Sequence, residues 1–201
     1  SDNTGKFVSN PNHLLGTFSG QLSVSDTSYA TLMSSDTHQA SILLDFGKEM
    51  YGRIKIFSAI RECKVPVRLR IRLGESVTEA MSDVNMPDNP QNPTNEHSLR
   101  DFTVSAPWLG SFQCGNSGFR FARIDLLDKD IKYNLRHVSA VSLIRDIEDK
   151  GSFCSDNERI NQIWQTGAYT VKLNMQEYLW DGIKRDRLVW VGDMHPGGMT
   201  I

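Results

Sequence analysis

The chain has 201 residues, 39% of them hydrophobic and 23% charged, with 22 basic against 24 acidic side chains and a formal charge of -2. That length allows one large domain or one domain plus part of another, and the apolar content excludes disorder throughout. The near balance of charge leaves no electrostatic footprint for nucleic acid or an anionic membrane surface.

No run of eighteen apolar residues occurs, and the opening SDNTGKFVSN lacks a basic region followed by an apolar stretch. A soluble chain is expected, with its leader absent from these residues and a periplasmic or secreted location. Cys63, Cys114 and Cys154 lie far apart with no C-x-x-C pairing, so neither a disulfide scaffold nor a zinc site is expected, and all three are read as buried thiols, one bridge with a leftover thiol being the alternative.

Residues through Ser35 are Ser/Thr-rich and read as one or two weakly specified strands. From about Gln39 to Ile144 the pattern has a period of two. It is clearest in VPVRLRIRL, where Val65, Val67, Leu69, Ile71 and Leu73 share one face and Arg68, Arg70 and Arg72 the other, as in a half-buried antiparallel strand. Further strands are predicted at Ile42 to Phe46, Arg53 to Phe57, Phe102 to Val104, Phe119 to Leu127 and Val138 to Ile144. Short strands separated by Gly, Asn, Asp and Pro clusters predict a mainly β fold, an antiparallel β-sandwich resembling a jelly roll, over residues 1–148. The Pro- and Asn-rich stretch from Asp83 to His97 is loop chemistry and is expected to be an exposed connection. Glu75, at a strand end in LGESVTEAM, reads as a solvated carboxylate.

At Gly151 the spacing turns helical. Ser155 and Glu158 form an S-x-x-E capping box, and Ile160, Ile163, Trp164, Gly167 and Val171 then make an apolar stripe. The predicted helix runs from Ser155 to about Gln176. With residues 149–201 as linker, helix and loop, this stretch is the second region of the chain.

The segment Tyr178 to Pro196 concentrates the chemistry. Asp181, Asp186 and Asp193 are interleaved with Lys184, Arg185 and Arg187 and with Trp180 and Trp190. Carboxylates that bond hydroxyls and indoles that cover pyranose faces are the ingredients of a sugar site, and equally of a charged surface junction. The order of the residues separates the two: Asp181, Arg185-Asp186-Arg187, Trp190 and Gly192-Asp193 resemble the signature D-x-x-x-R-(D/E)-R-x-x-W-x-G-D of the bacterial α-L-rhamnosidase family. The resemblance extends to SDNERINQIWQTGAYTVKLNM, similar to the helix that opens that family's (α/α)6 barrel. It also takes in LDFGKEMYGRIKI, RIRLGESVTEAM and FRFARIDL, similar to the β-domain that precedes it.

The resemblance implies a glycoside hydrolase that removes terminal α-L-rhamnosyl groups with inversion. Asp186, one methylene shorter than the Glu commonest there in the family, is implied as the general acid. Asp181 and Asp193 are implied to hold substrate hydroxyls, Arg185 to fix the constellation and Trp190 to line the pocket. Inversion needs a general base roughly 6.5 to 9.5 Å from the acid, and the family's base lies downstream in the barrel. The chain therefore reads as an N-terminal fragment, inactive alone, whose partners are a rhamnose-containing glycan and the rest of the barrel. No cofactor or metal is implied. His195 is left outside the catalytic set, and the five histidines show no ligand spacing.

The competing reading is a non-catalytic carbohydrate-binding or docking β-sandwich, in which exposed aromatics such as Trp108 and Phe112 would hold a sugar. No nucleophile elbow, Walker loop, dinucleotide fingerprint or H-E-x-x-H is present, which leaves serine hydrolase, nucleotide and zincin chemistry without support.

Overall fold

The computed structural model describes residues 6–60, 64–83 and 100–201. Most of the predicted Asp83 to His97 connection, together with Cys63, lies outside the described residues. The chain falls into two compact units, Ser1–Val141 and Ser142–Ile201.

The first unit is a seven-stranded antiparallel sheet. Its strands are β1 (Val8–Ser9), β2 (Ala30–Met33), β3 (Ser41–Ser58), β4 (Val67–Gly74), β5 (Arg100–Ala106), β6 (Gly110–Leu126) and β7 (Lys132–Ser142), in the spatial order β1-β2-β7-β3-β6-β4-β5. A short helix, α1 (Val77–Met81), follows β4, and a 3-10 turn spans Pro11–Leu15. The weakly specified N-terminal segment resolves into β1 and β2, which pair Val8 with Leu32.

The strand β4 keeps the alternation of its sequence. Val67, Leu69, Ile71 and Leu73 are buried, and the register sets Ile71 opposite both Phe102 of β5 and Ile124 of β6. Val65 departs from this pattern, standing 64% exposed before the strand begins, because Pro66 at the strand's doorstep lacks the N–H a ladder needs.

The segments around Ile42 and Ile54, read as separate strands, are one long β3 against one long β6. Its register shifts between Asp45 and Met50 and again between Gly52 and Arg53. Bulges of this kind bend a strand without ending it, and Asp45 stabilises the first: Gly47, at φ +79°, donates its N–H to Asp45, and Arg120 grips the same carboxylate with two bonds of 2.8 Å.

Side chains from all seven strands enter one apolar cluster, including Leu32, Ile54, Ile71, Phe119, Ile124 and Tyr133, all shielded from solvent. A flat sheet could not shield them without a covering layer, so the sheet must turn back over itself, consistent with a β-sandwich-like domain.

The arginines of β4 find carboxylates on the other face. Arg68 meets Asp128, Arg70 meets Asp101 and Asp83, and Arg72 meets Asp125, which Arg123 also reaches. Arg72 and Asp125 are both buried, so this face is covered rather than fully solvated at β4 and β6. The cover at that point is α1, since Arg72 Nη1 donates to the carbonyl oxygens of Met81 and Ser82. Gly74 makes the close approach possible, because a Cβ there would lie 2.5 Å from the Ala80 nitrogen. Glu75 is exposed, and its N–H donates to Glu79.

Cys114 is half-buried, and burial pushes its thiol up to about 11, too weak an acid to supply thiolate near neutrality. Cys154, read as buried, is exposed instead, since the segment before the second unit's helix packs little of its length. Among the described residues no helix is long and apolar enough to cross a membrane.

Candidate functional site

The second unit is built on α2 (Glu158–Asn174) and α3 (Val191–Thr200), joined by the segment that carries the signature. The α2 helix starts later than the capping box predicts. Asn157 is the N-cap, its side-chain oxygen accepting from the Arg159 N–H at 2.9 Å. Ser155 accepts from the Asn157 N–H, and its backbone is held on both sides by the Asn161 amide. An extended backbone with an Asx oxygen at Asn157 serves the orphan N–H groups directly, which displaces Ser155 from that role.

The helix ends at Asn174 rather than Gln176 because the chain reverses there. Gln176 N–H is shared between the Asn174 and Tyr178 carbonyls, Met175 bridges Leu179, and Trp180 N–H returns to the Asn174 carbonyl. The apolar stripe is present but open: Ile160, Ile163 and Trp164 are exposed, with Phe153 stacked on Trp164 at 6.3 Å.

From this reversal the chain enters a loop closed by Asp181. The Asp181 N–H donates to the Leu188 carbonyl at 2.9 Å, and the Leu188 N–H donates to Asp181 Oδ1 at 2.8 Å. Asp181 Oδ2 accepts from the Trp190 indole Nε1 at 3.1 Å. Within the loop Ile183 and Lys184 are buried and form its anchor. Arg187 adopts a left-handed backbone, φ +53°, and its guanidinium lies 5.8 Å from the centre of the Trp180 ring. That conformation is sparsely populated for a non-glycine residue and clusters at functional sites.

Asp186 projects from the same loop. Its nearest charge is Arg185, at 3.8 Å, a loose pair in which both side chains remain substantially exposed. Asp193 sits in the first turn of α3, where the helix N-terminus favours an acidic side chain, and it is exposed, as is His195.

Of the five site residues named from the sequence, the structure joins Asp181 to Trp190 and Arg185 to Asp186. No hydrogen bond or ion pair links Asp186 to Asp181 or Asp193. The loop anchors Ile183 and Lys184 were missed as such; Ile183 could have been found as the lone aliphatic residue between Asp181 and Arg187. Among the described residues no group of His, Cys, Asp and Glu side chains could hold a metal ion. The aromatics weighed for a sugar site on the sheet unit are less free than that reading needs. Phe112 packs against the core, and Trp108 is half-buried under Lys64, 5.6 Å from its ring.

Comparison with known proteins adds to this geometry. Residues 148–201 match the model of the bacterial alpha-L-rhamnosidase six-hairpin glycosidase domain. A rhamnosidase from Klebsiella oxytoca with rhamnose bound superposes with a TM-score of 0.69 at 19% identity, over 84% of this chain and 33% of that one. A GH78 family rhamnosidase of Bacillus sp. GL1 superposes at 0.66 and 16% identity, over 94% of this chain and 18% of that one. The chain thus spans a third or less of the length of these two structures, and at such identities the likeness carries the fold alone. No curated protein matches it significantly.

The fold these likenesses carry is a β-sandwich-like domain followed in the chain by a segment similar to a glycosidase domain. Residues 148–201 are thus similar to the six-hairpin glycosidase domain of the bacterial α-L-rhamnosidases, a likeness that covers about a quarter of the chain.

Proposed function

We propose that this chain is the β-sandwich and the opening, acid-bearing stretch of an enzyme that hydrolyses terminal α-L-rhamnosyl linkages with inversion. The observation that carries the reading is the order Asp181, Arg185-Asp186-Arg187, Trp190, Asp193 inside the segment that matches the glycosidase model. Asp186 is the general acid, protonating the departing glycosidic oxygen. Trp190 offers an indole face to the pyranose ring, Asp193 and Asp181 belong to the hydroxyl-binding wall, and Arg185 orients Asp186 from its position alongside it. The general base is a carboxylate outside residues 1–201, and α2 is the first helix of the barrel that supplies it. Its exposed apolar stripe is the face available to further helices.

The acid role sets a physical requirement. Asp186 is exposed in this structure, with Arg185 Nε at 3.8 Å. An acid working near neutrality must be desolvated or set beside another carboxylate, so closure of the barrel around the loop is what makes Asp186 competent. On the same ground residues 1–201 alone are inactive.

The test uses the full-length protein with Asp186→Asn. Hydrolysis of an alkyl α-L-rhamnoside falls by about 10²- to 10⁴-fold, the usual share of a general acid. Turnover of p-nitrophenyl α-L-rhamnoside falls much less, because its leaving group needs little protonation. Equal losses on both substrates would remove Asp186 from the acid role, and a first-formed product that keeps the α configuration would rule out inversion.

A further inference from the structure

The sequence pattern treats Asp181 as one more carboxylate for a sugar. Its contacts give it a second occupation. An ionised carboxylate only accepts hydrogen bonds, and here one oxygen takes the Leu188 N–H and the other the Trp190 indole N–H. The Asp181 N–H returns a bond to the Leu188 carbonyl. One residue therefore closes the loop that bears Asp186 and grips the donor edge of the aromatic residue that follows it.

We infer that Asp181 is a positioning residue, fixing the orientation of the Trp190 indole and the span of the Asp186 loop. For its bearing on a sugar this rests on the glycosidase reading, but the geometry itself does not. The residue type suits the task. An amide in its place would offer one acceptor oxygen and turn an NH2 toward the other donor, and a glutamate would move both oxygens outward by a methylene.

Trp190 needs such a grip because packing supplies little: its side chain is about half exposed, at 53%. An indole with one donor, held at that donor, keeps a defined face toward solvent. Arg187 contributes from the other side, since its left-handed backbone turns the chain immediately before Leu188, aiming the Leu188 N–H back at Asp181.

The consequence for a reaction is indirect action. Asp181 would serve catalysis through the face that Trp190 presents and the place where Asp186 projects, with lone pairs to spare for the hydroxyl it is proposed to hold. Its loss should then show in the aromatic residue before any substrate is added.

The test is a nitrogen-15 NMR experiment on the 201-residue chain without sugar. Four tryptophans, Trp108, Trp164, Trp180 and Trp190, give four indole N–H signals, and Trp190→Phe assigns the relevant one. In Asp181→Ala the Trp190 indole proton moves upfield and exchanges with water about fivefold faster, in line with loss of one net hydrogen bond, while the Trp108 and Trp164 signals stay in place. Should the loop collapse in that variant, so that the Leu188 amide signal is lost as well, Asp181→Asn decides the matter. It keeps an acceptor for Leu188 and turns its NH2 to the indole, so the Trp190 signal moves and the Leu188 signal stays.

An unmoved Trp190 indole in both variants overturns the inference, whatever the enzyme's activity. A displaced indole in a protein whose full-length form cleaves no rhamnoside would leave the positioning role standing and remove the glycosidase reading instead.

Discussion

The two units of this chain hold their residues in place by different means. The sheet unit buries apolar side chains from all seven of its strands in a common cluster. Among the described residues of the second unit, Leu173 and Ile183 are the buried apolar side chains, while Ile160, Ile163, Trp164, Trp190 and Val191 are exposed. The candidate chemistry lies wholly in the unit with the thin core. Its residues are positioned by local hydrogen bonds: the Asn157 cap, the reversal at Met175 and Leu179, and the closure of the loop by Asp181. Such bonds contribute about 1 kcal/mol each, against several for a well-packed core residue. The sheet unit should therefore tolerate damage to the second unit, and each should fail separately.

The strongest way to break that contrast is to attack the sheet's core. Phe119 is fully buried and meets Phe46 edge to face at 5.7 Å. Phe119→Ala should destabilise the sheet unit by about 3–5 kcal/mol in urea unfolding. The Trp190 indole signal should be unaffected under native conditions. Loss of that signal together with the sheet would mean the two units fold as one.

The buried ion cluster tests the same unit through charge, with an effect of similar or somewhat smaller size. Asp125 accepts from Arg72 Nη2 and Arg123 Nε, each at 2.8 Å, and is almost completely buried. Asp125→Ala leaves Arg72 buried beside α1 without its counter-charge and should cost roughly 3–5 kcal/mol, the usual penalty for stranding one partner of a buried pair. Replacing Arg72 and Asp125 together by methionine and leucine should recover most of the loss in the same unfolding measurement. If the double variant is as unstable as the single one, the pair is more than a satisfied charge.

A smaller effect separates the caps. Asn157→Ala should lower the stability of α2 by about 1 kcal/mol, read as a loss of helical circular dichroism on mild heating. Ser155→Ala should do less, because Ser155 lies outside the helix and braces Asn157 and Asn161 instead. Equal losses would restore Ser155 to the capping role that its spacing suggests.

That reversal shows where the sequence could be read and where it could not. The pattern S-x-x-E stands in the sequence at Ser76–Glu79 as well as at Ser155–Glu158. At Ser76 it works, with the Ser76 hydroxyl accepting from the Glu79 N–H and the Glu79 carboxylate reaching back to the Glu75 N–H. At Ser155 it does not, because Asn157 is an equally good cap two residues nearer the helix, and the motif alone does not rank two competing caps.

The alternation of β4 was legible because half-burial imposes a period of two. The continuity of β3 was not, since the segment between its two halves reads as a turn until Arg120 and Gly47 fix Asp45 at a bulge. The burial of Arg72 was equally hidden, for its place opposite the apolar face predicts solvent unless α1 is known to cover it. In the second unit the order of the charged residues was plain from the sequence. The closure of the loop by Asp181 was not, because it depends on a left-handed Arg187 that no side-chain pattern announces.

The last and smallest effect sharpens the contrast through acid. His137 on β7 lies among Phe18 and Phe57, with ring centres 5.1 and 6.1 Å away, and its Nδ1 is buried without a hydrogen-bond partner. Burial, and then the charge of neighbouring Arg136, hold its pKa below the ordinary 6.5. Lys55 over Phe57 adds a further positive charge nearby, while Asp26 is already engaged by Arg136. The fold thus favours neutral imidazole, so the unfolded chain takes up a proton first as pH falls. The stability associated with a neutral His137 is complete above about pH 6.5 and declines as pH drops from there toward the lower folded value. Two carboxylates of this unit, Asp26 and Asp45, are held below their ordinary range, the first by the Ser28 N–H and Arg136 and the second, at the β3 bulge, by Arg120 and the Gly47 N–H, so they titrate beneath that window. Thermal unfolding of the sheet unit at pH 7 and pH 5.5 should therefore show a fall in midpoint for the native sequence and a shallower one for His137→Phe, which keeps a ring in the cluster without a titrating nitrogen. Identical falls would mean that His137 is neutral for no energetic reason, and that the acid response of the sheet lies in another residue.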